Sequence, residues 1–214
     1  MTSAAAPRVT GPVAGGAPIV PVVTIDDATR TQRLVEALIA GGIGCVEIAL
    51  RTPDAMRAIA AASGVPDFVV GAGTVLTAED VDRVVDAGAT FVVSPGLDDE
   101  VVARCLDLGV QVIPGVATAT EIQRALRWGL NHLKLFPAST VGGVAAIEQF
   151  AGPFPVVRFL PSGGVNASNA SEYAESTSVF AVSGSWMATR AMIADSDFDE
   201  ITRLSREAVD LVAP

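Results

Sequence analysis

"TAEDVDRVVDAGATFVVSPG" (77–96) holds the unit from which the rest of the chain is built. Thr77 caps an amphipathic run, and Gly88 stops it. The β-branched "TFVVSP" (90–95) that follows has strand length and ends in a Pro-Gly turn. The order is helix, glycine, strand, loop. On the C-terminal side Asp98 caps the next amphipathic run, and Gly109 and Gly129 stop two more.

Strand-like runs stand at 17–25 ("APIVPVVTI"), 45–50 ("CVEIAL"), 67–74 ("DFVVGAGT"), 90–95, 110–115 ("VQVIPG"), 132–137 ("HLKLFP"), 156–164 ("VVRFLPSGG") and 179–185 ("VFAVSGS"). Amphipathic segments separate them, and "FDEITRLSREAVDLVA" closes the chain. Strands alternating with crossover helices give a parallel sheet. Eight such units predict an α/β protein made of a single (β/α)8 TIM barrel over 17–214, behind a flexible Ala-, Pro- and Gly-rich lead-in at 1–16. A doubly wound open sheet is the alternative. The eight-fold count and the lack of G-x-G-x-x-G after the first strand weigh against it.

Half of the 214 residues are hydrophobic and 18% are charged, the balance of a globular chain. No apolar run reaches the roughly 18 residues of a membrane span. The N-terminus lacks the basic region and apolar core of a signal peptide, so a cytoplasmic protein is expected. The net charge of −10 disfavours nucleic acid and anionic membrane as partners. Cys45 and Cys105 have no metal-ligand spacing and read as reduced, buried thiols.

Active sites of such barrels lie at the C-terminal ends of the strands. Side chains alternate between faces along a strand. In "CVEIALR", Val46, Ile48 and Leu50 suit the helix-facing side, so Cys45, Glu47, Ala49 and Arg51 face the interior. In "HLKLFP", Leu133 and Leu135 pack outward, so His132, Lys134 and Phe136 point in. A glutamate and a lysine thus share one enclosed space. Lys134 is the only lysine; the other 13 basic residues are arginine. A structural ion pair is one reading, but such pairs favour the bidentate arginine fork. Lysine can instead lose its proton and attack a carbonyl, so covalent chemistry explains the choice better. His132 reads as a packed core residue, with a proton-shuttle role only if it reaches the open end. With no second histidine and no nearby cysteine, no metal site is expected.

"PSGG" (161–164) and "SGSW" (183–186) end the seventh and eighth strands, where barrels often bind phosphate through backbone N–H groups. Gly163, Gly164 and Gly184 allow close approach, and Ser185 adds a hydroxyl. Ordinary turns are the alternative. Thr74 ends the third strand with a hydroxyl, while Pro114 and Gly115 read as turn-shaping residues.

"EIALRT", "GAGTVL", "SPGL", "IPG", "KLFPA", "GPF", "RFLPSGGV" and "SGSW", in this order over about residues 18–190, resemble the 2-keto-3-deoxy-6-phosphogluconate (KDPG) aldolase family, which includes 4-hydroxy-2-oxoglutarate (KHG) aldolases. The closing "DFDEITRLSREAVD" is similar too. The resemblance implies a class I lyase of the Entner-Doudoroff pathway, metal- and cofactor-free and homotrimeric. Its substrate would be a phosphorylated 2-keto acid, cleaved to pyruvate and an aldehyde. It implies a Schiff base on Lys134 and acid/base work by Glu47. Arg51 and Thr74 would hold the pyruvyl carboxylate. Gly163, Gly164, Gly184 and Ser185 would hold the distal phosphate, with Pro95 and Phe136 lining the pocket. Many relatives have threonine at the place of Ser162, a position tied to epimer preference. Relatives often have glutamate where Ser139 stands. The lead-in also lacks the helix that often precedes the first strand. KHG and 2-keto-3-deoxy-6-phosphogalactonate are the alternative substrates. A sugar-phosphate epimerase, or a non-catalytic binder of phosphorylated acids, would keep the phosphate loops without needing the lysine.

Overall fold

Thr77 does cap its helix: its Oγ1 accepts the N–H of Asp80 at 3.1 Å. Asp98 caps the next helix by accepting from Glu100 and Val101, both at 3.0 Å. Each cap satisfies backbone donors that a helix start leaves free. Gly88, Gly109 and Gly129 all take positive φ, which lets the chain leave the helix at once.

The computed structural model describes residues 13–213. Strands β1 (Ile19–Val23), β2 (Cys45–Ala49), β3 (Val69–Gly73), β4 (Phe91–Val93), β5 (Gln111–Ile113), β6 (Gly115–Val116), β7 (His132–Leu135), β8 (Arg158–Pro161) and β9 (Val182–Gly184) pair only in parallel. Helices α1 (Thr31–Ala40), α2 (Ala55–Ser63), α3 (Ala78–Asp86), α4 (Asp99–Leu108), α5 (Ala119–Arg127), α6 (Gly143–Ala151), α7 (Ala170–Ala174), α8 (Arg190–Asp195) and α9 (Phe198–Val212) connect and cover them.

The α/β class and the parallel pairing are as expected, but the sheet is not one continuous eight-stranded ring. Six strands form one curled arc, β5-β4-β3-β2-β1-β9, and three form another, β6-β7-β8. Pro114 causes one seam. It has no N–H for the ladder, so the strand expected over 110–115 splits into β5 and β6. Its carbonyl still accepts the Lys134 N–H at 2.9 Å. At the other seam no ladder joins β8 to β9 among the described residues; a single bridge pairs Phe159 of β8 with Val179, three residues before β9. Helix α8 was not expected; six residues are too few to display a helical period.

Alternation produces two apolar layers. Val46, Ile48, Leu133, Leu135, Phe159 and Val182 pack between strands and helices. Val20, Cys45, Phe91, Val93, Ile113, Leu160 and Ala181 pack on the inner face, together with Ala14. Of the expected lead-in, residues 1–12 lie outside the described residues. Val13–Gly16 form a 3-10 turn, and the Ala14 N–H donates to Gln111 Oε1 at 3.3 Å. This apolar inner layer lies below the inward Glu47 and Lys134, which sit two positions further along β2 and β7 than Cys45 and His132.

Candidate active site

β2 is buried along its whole length, and Glu47 at its inward middle position is only 1% exposed. Lys134, inward on β7, is 6% exposed. Lys134 Nζ donates to Glu47 Oε1 at 3.3 Å, joining residues 87 apart in sequence. The other carboxylate oxygen, Oε2, is buried with no hydrogen-bond partner in the protein. Such an oxygen is costly to keep and suits a group that must accept a proton from a bound hydroxyl. The Phe136 ring lies 5.3 Å from Lys134 Nζ, a cation-π distance that also walls one side of the amine.

Gly73 makes this arrangement possible. A Cβ there would lie 2.1 Å from Glu47 Oε1 and 2.7 Å from its Cγ. The glycine of "GAGT" therefore leaves the space that the glutamate fills. Sequence reading missed this role, because nothing local in β3 refers to a side chain on β2.

Arg51, just past β2, is exposed, and its Nε donates to Thr74 Oγ1 at 3.3 Å. Thr74 has φ +60, a left-handed conformation that is uncommon for a β-branched residue. Together the exposed arginine and the half-buried threonine form a pair of polar groups just past the ends of β2 and β3. Pro95 is half-buried, and its carbonyl approaches Gly115 so closely that a Cβ there would lie 2.1 Å from the oxygen. Gly115 thus does more than shape a turn: it lets the chain after β4 pack against β6.

Gly163 and Gly164 both take positive φ. The Gly163 carbonyl accepts from the Ser139 N–H at 3.0 Å, and the Gly164 carbonyl accepts from the side chains of Asn166 and Asn169. With both carbonyls engaged, N–H groups are what the loop can offer a ligand. Ser139 Oγ would lie 2.0 Å from a Cβ at Gly164, so the serine packs directly against this loop. A small residue at 139 is consistent with that contact. Ser185 is exposed, whereas Gly184 is buried under the Trp186 ring. Ser162 is buried at the end of β8, 3.5 Å from the hydroxyl of Ser183. Ser183 was not singled out from the sequence, where it reads as one more small residue in "VSGS".

His132 lies at the far end of β7 from this cluster. Its ring meets Phe180 edge-on at 4.9 Å, Nδ1 is 2.9 Å from Asn131 Oδ1, and burial and then the charge of Arg158 lower its pKa. A packed histidine fits this placement and a shuttle does not. Cys45 and Cys105 are free and buried, and burial pushes both thiols up to about 12, with the Glu47 charge adding to the effect at Cys45. No cluster of three or more His, Cys, Asp or Glu placed to hold a metal occurs among the described residues. No helix among them is long and apolar enough to cross a membrane.

The family model described as KDPG and KHG aldolase matches residues 13–204. A 2-dehydro-3-deoxy-phosphogluconate aldolase of Treponema pallidum is 46% identical over 195 residues, covering 91% of this chain and 93% of that protein. A KHG/KDPG aldolase of Escherichia coli is 40% identical over 196 residues, 90% of this chain and 91% of that one. The crystal structure of KDPG aldolase from Legionella pneumophila, with pyruvate captured as a covalent carbinolamine intermediate, superimposes with a TM-score of 0.87. It is 38% identical and covers 90% of this chain and 94% of its own.

Proposed function

The chain belongs to the KDPG and KHG aldolase family and is therefore a lyase; we propose that it cleaves KDPG to pyruvate and glyceraldehyde 3-phosphate through a Schiff base on Lys134. The observation that carries this reading is the buried contact of Lys134 Nζ with Glu47 Oε1 at 3.3 Å, beside a free Glu47 Oε2.

Within the ion pair Lys134 passes a proton to Glu47 and adds as the free amine to the C2 ketone. Glu47 returns that proton to the carbinolamine hydroxyl, which leaves as water, giving an ionised Glu47 and an iminium that serves as an electron sink. Glu47 Oε2 accepts the proton of the C4 hydroxyl. The C3–C4 bond breaks, its electron pair flows into the iminium, and the C4 oxygen becomes the aldehyde oxygen of the departing product. The remaining enamine is protonated at C3, and water then releases pyruvate and the free lysine. Arg51 and Thr74 hold the pyruvyl carboxylate, with the guanidinium as the charged donor. Gly163, Gly164, Gly184 and Ser185 hold the phosphate. Pro95 and Phe136 line the space between, and Ser162 faces C4. Backbone donors explain how a chain of net charge −10 accepts a dianion.

The two curled arcs are read as parts of one (β/α)8 barrel, joined at the seams beside Pro114 and Phe159. A homotrimer acting in the cytoplasm completes the proposal, by analogy with the family. KHG remains a second substrate, because the Escherichia coli relative carries both names. A coupled assay of pyruvate release over phosphorylated and unphosphorylated 2-keto acids tests the reading. KDPG should have the highest kcat/KM, and no pyruvate from any of them would overturn it.

A further inference from the structure

Two buried hydroxyls face each other on the inner surface, and the steps above use only one of them. Ser183 is 0% exposed in the middle of β9, and Ser162 follows β8. Both lie on the inward face, two positions beyond the inner-layer residues Ala181 and Leu160. Leu160 is in turn paired with Lys134 across β7 and β8. The Ser183 hydroxyl donates to Ser162 Oγ at 3.5 Å, and neither side chain has another hydrogen-bond partner among the described residues.

A hydroxyl has one proton to donate. Ser183 gives its proton to Ser162, so the Ser162 proton is left for the pocket. Ser94, another buried serine at a strand end, differs: its proton is committed to the Gly96 carbonyl at 2.7 Å. Ser162 is thus held as a donor. On the proposed aldolase reading, the C4 oxygen loses its proton to Glu47 and becomes a carbonyl oxygen, which can only accept. A donor fixed on the inner surface stabilises that oxygen for one C4 configuration and misses it for the other.

We propose that Ser183 is a positioning residue for epimer selection, acting through Ser162 by fixing that hydroxyl as a donor to the substrate's C4 oxygen. The effect is confined to substrates that have a C4 oxygen. Pyruvate has none, so formation of its Schiff base serves as an internal control.

The test compares wild type with Ser183→Ala and Ser183→Cys. It measures kcat and KM on KDPG and on its C4 epimer, 2-keto-3-deoxy-6-phosphogalactonate, and the rate of borohydride trapping with pyruvate. Ser183→Ala should lower kcat on the preferred epimer by about tenfold with little change in KM, and bring the epimer ratio toward one. Ser183→Cys, near-isosteric with a weak donor, should lie between the two, and pyruvate trapping should be the same in all three proteins. An unchanged epimer ratio in Ser183→Ala, an unselective wild type, or trapping that falls in parallel with cleavage would overturn the proposal. The aldolase reading would survive each of these results; it fails separately if the wild type cleaves neither epimer.

Discussion

Arg104 and Asp82 on the surface, and Lys134 and Glu47 inside, form the same kind of ion pair for different ends. The surface pair joins α4 to α3 at 2.6 Å with both side chains well exposed. Arg190 and Asp26 go further and form two hydrogen bonds of 2.6 Å. The interior pair is longer, at 3.3 Å, uses a single bond, and leaves one carboxylate oxygen unpartnered. Apart from it, the ion pairs among the described residues use arginine. The surface ties use the arginine fork, and the proposed Schiff-base role accounts for a lysine inside, since only an amine that can lose its proton attacks a ketone. An interior pair built for stability would be bidentate and fully satisfied.

The largest expected effect that would break this contrast is that of Lys134→Arg. It keeps the charge and removes the nucleophile, so kcat should fall by on the order of 10^4 or more while the fold is retained. Steady-state pyruvate release and circular dichroism check this together, and an active arginine variant would reduce the interior pair to a structural tie. Next comes Glu47→Gln, which keeps the shape and loses the base. Turnover should fall by about 10^2 to 10^4. Gly73→Ala leaves both charged residues in place, but its methyl occupies the site of Glu47 Oε1. A loss of about 10^2 in kcat is expected, with about 1–3 kcal/mol of stability lost to overpacking, read by urea unfolding. Asp82→Asn on the surface should cost under about 1 kcal/mol, less at high salt, and leave kcat unchanged.

The two buried thiols, Cys45 on the inner face and Cys105 on α4, also make a pH prediction. Burial raises the Cys45 and Cys105 thiols from 9.0 to about 12. A thiol whose pKa is raised by folding contributes stability below its unfolded value, and that contribution is lost as pH rises from about 9 toward 12. Unfolding midpoints should decline over that window. At pH 8 neither cysteine should react with a thiol reagent until denaturant is added.

The legible part of the site came from alternation. A period of two, with leucines fixing the outward face, was enough to put Lys134 and Glu47 in one enclosed space, and helix caps with terminal glycines set the order of elements. What stayed hidden depends on distant strands meeting. Gly73 matters because of a side chain on β2, Gly115 because of the carbonyl of Pro95, and Ser183 because of a hydroxyl on the neighbouring strand. Ser139, unexplained as a sequence feature, is explained by its contact with Gly164. The seam at Pro114 was visible as a proline, but its cost to the ladder became apparent only with the neighbouring strands in place. Residues 13–16 read as lead-in from their composition, yet Ala14 is buried in the inner layer.

On the proposed mechanism the Lys134 amine attacks the substrate ketone. Incubation with pyruvate and borohydride, followed by intact mass and peptide mapping, tests it most directly. The sequence helps here, because Lys134 is the only lysine in the chain. One reduced pyruvyl adduct per chain, mapped to the peptide carrying Lys134 and absent from Lys134→Arg, is the predicted result. An unmodified Lys134 in wild-type protein that still releases pyruvate would contradict it.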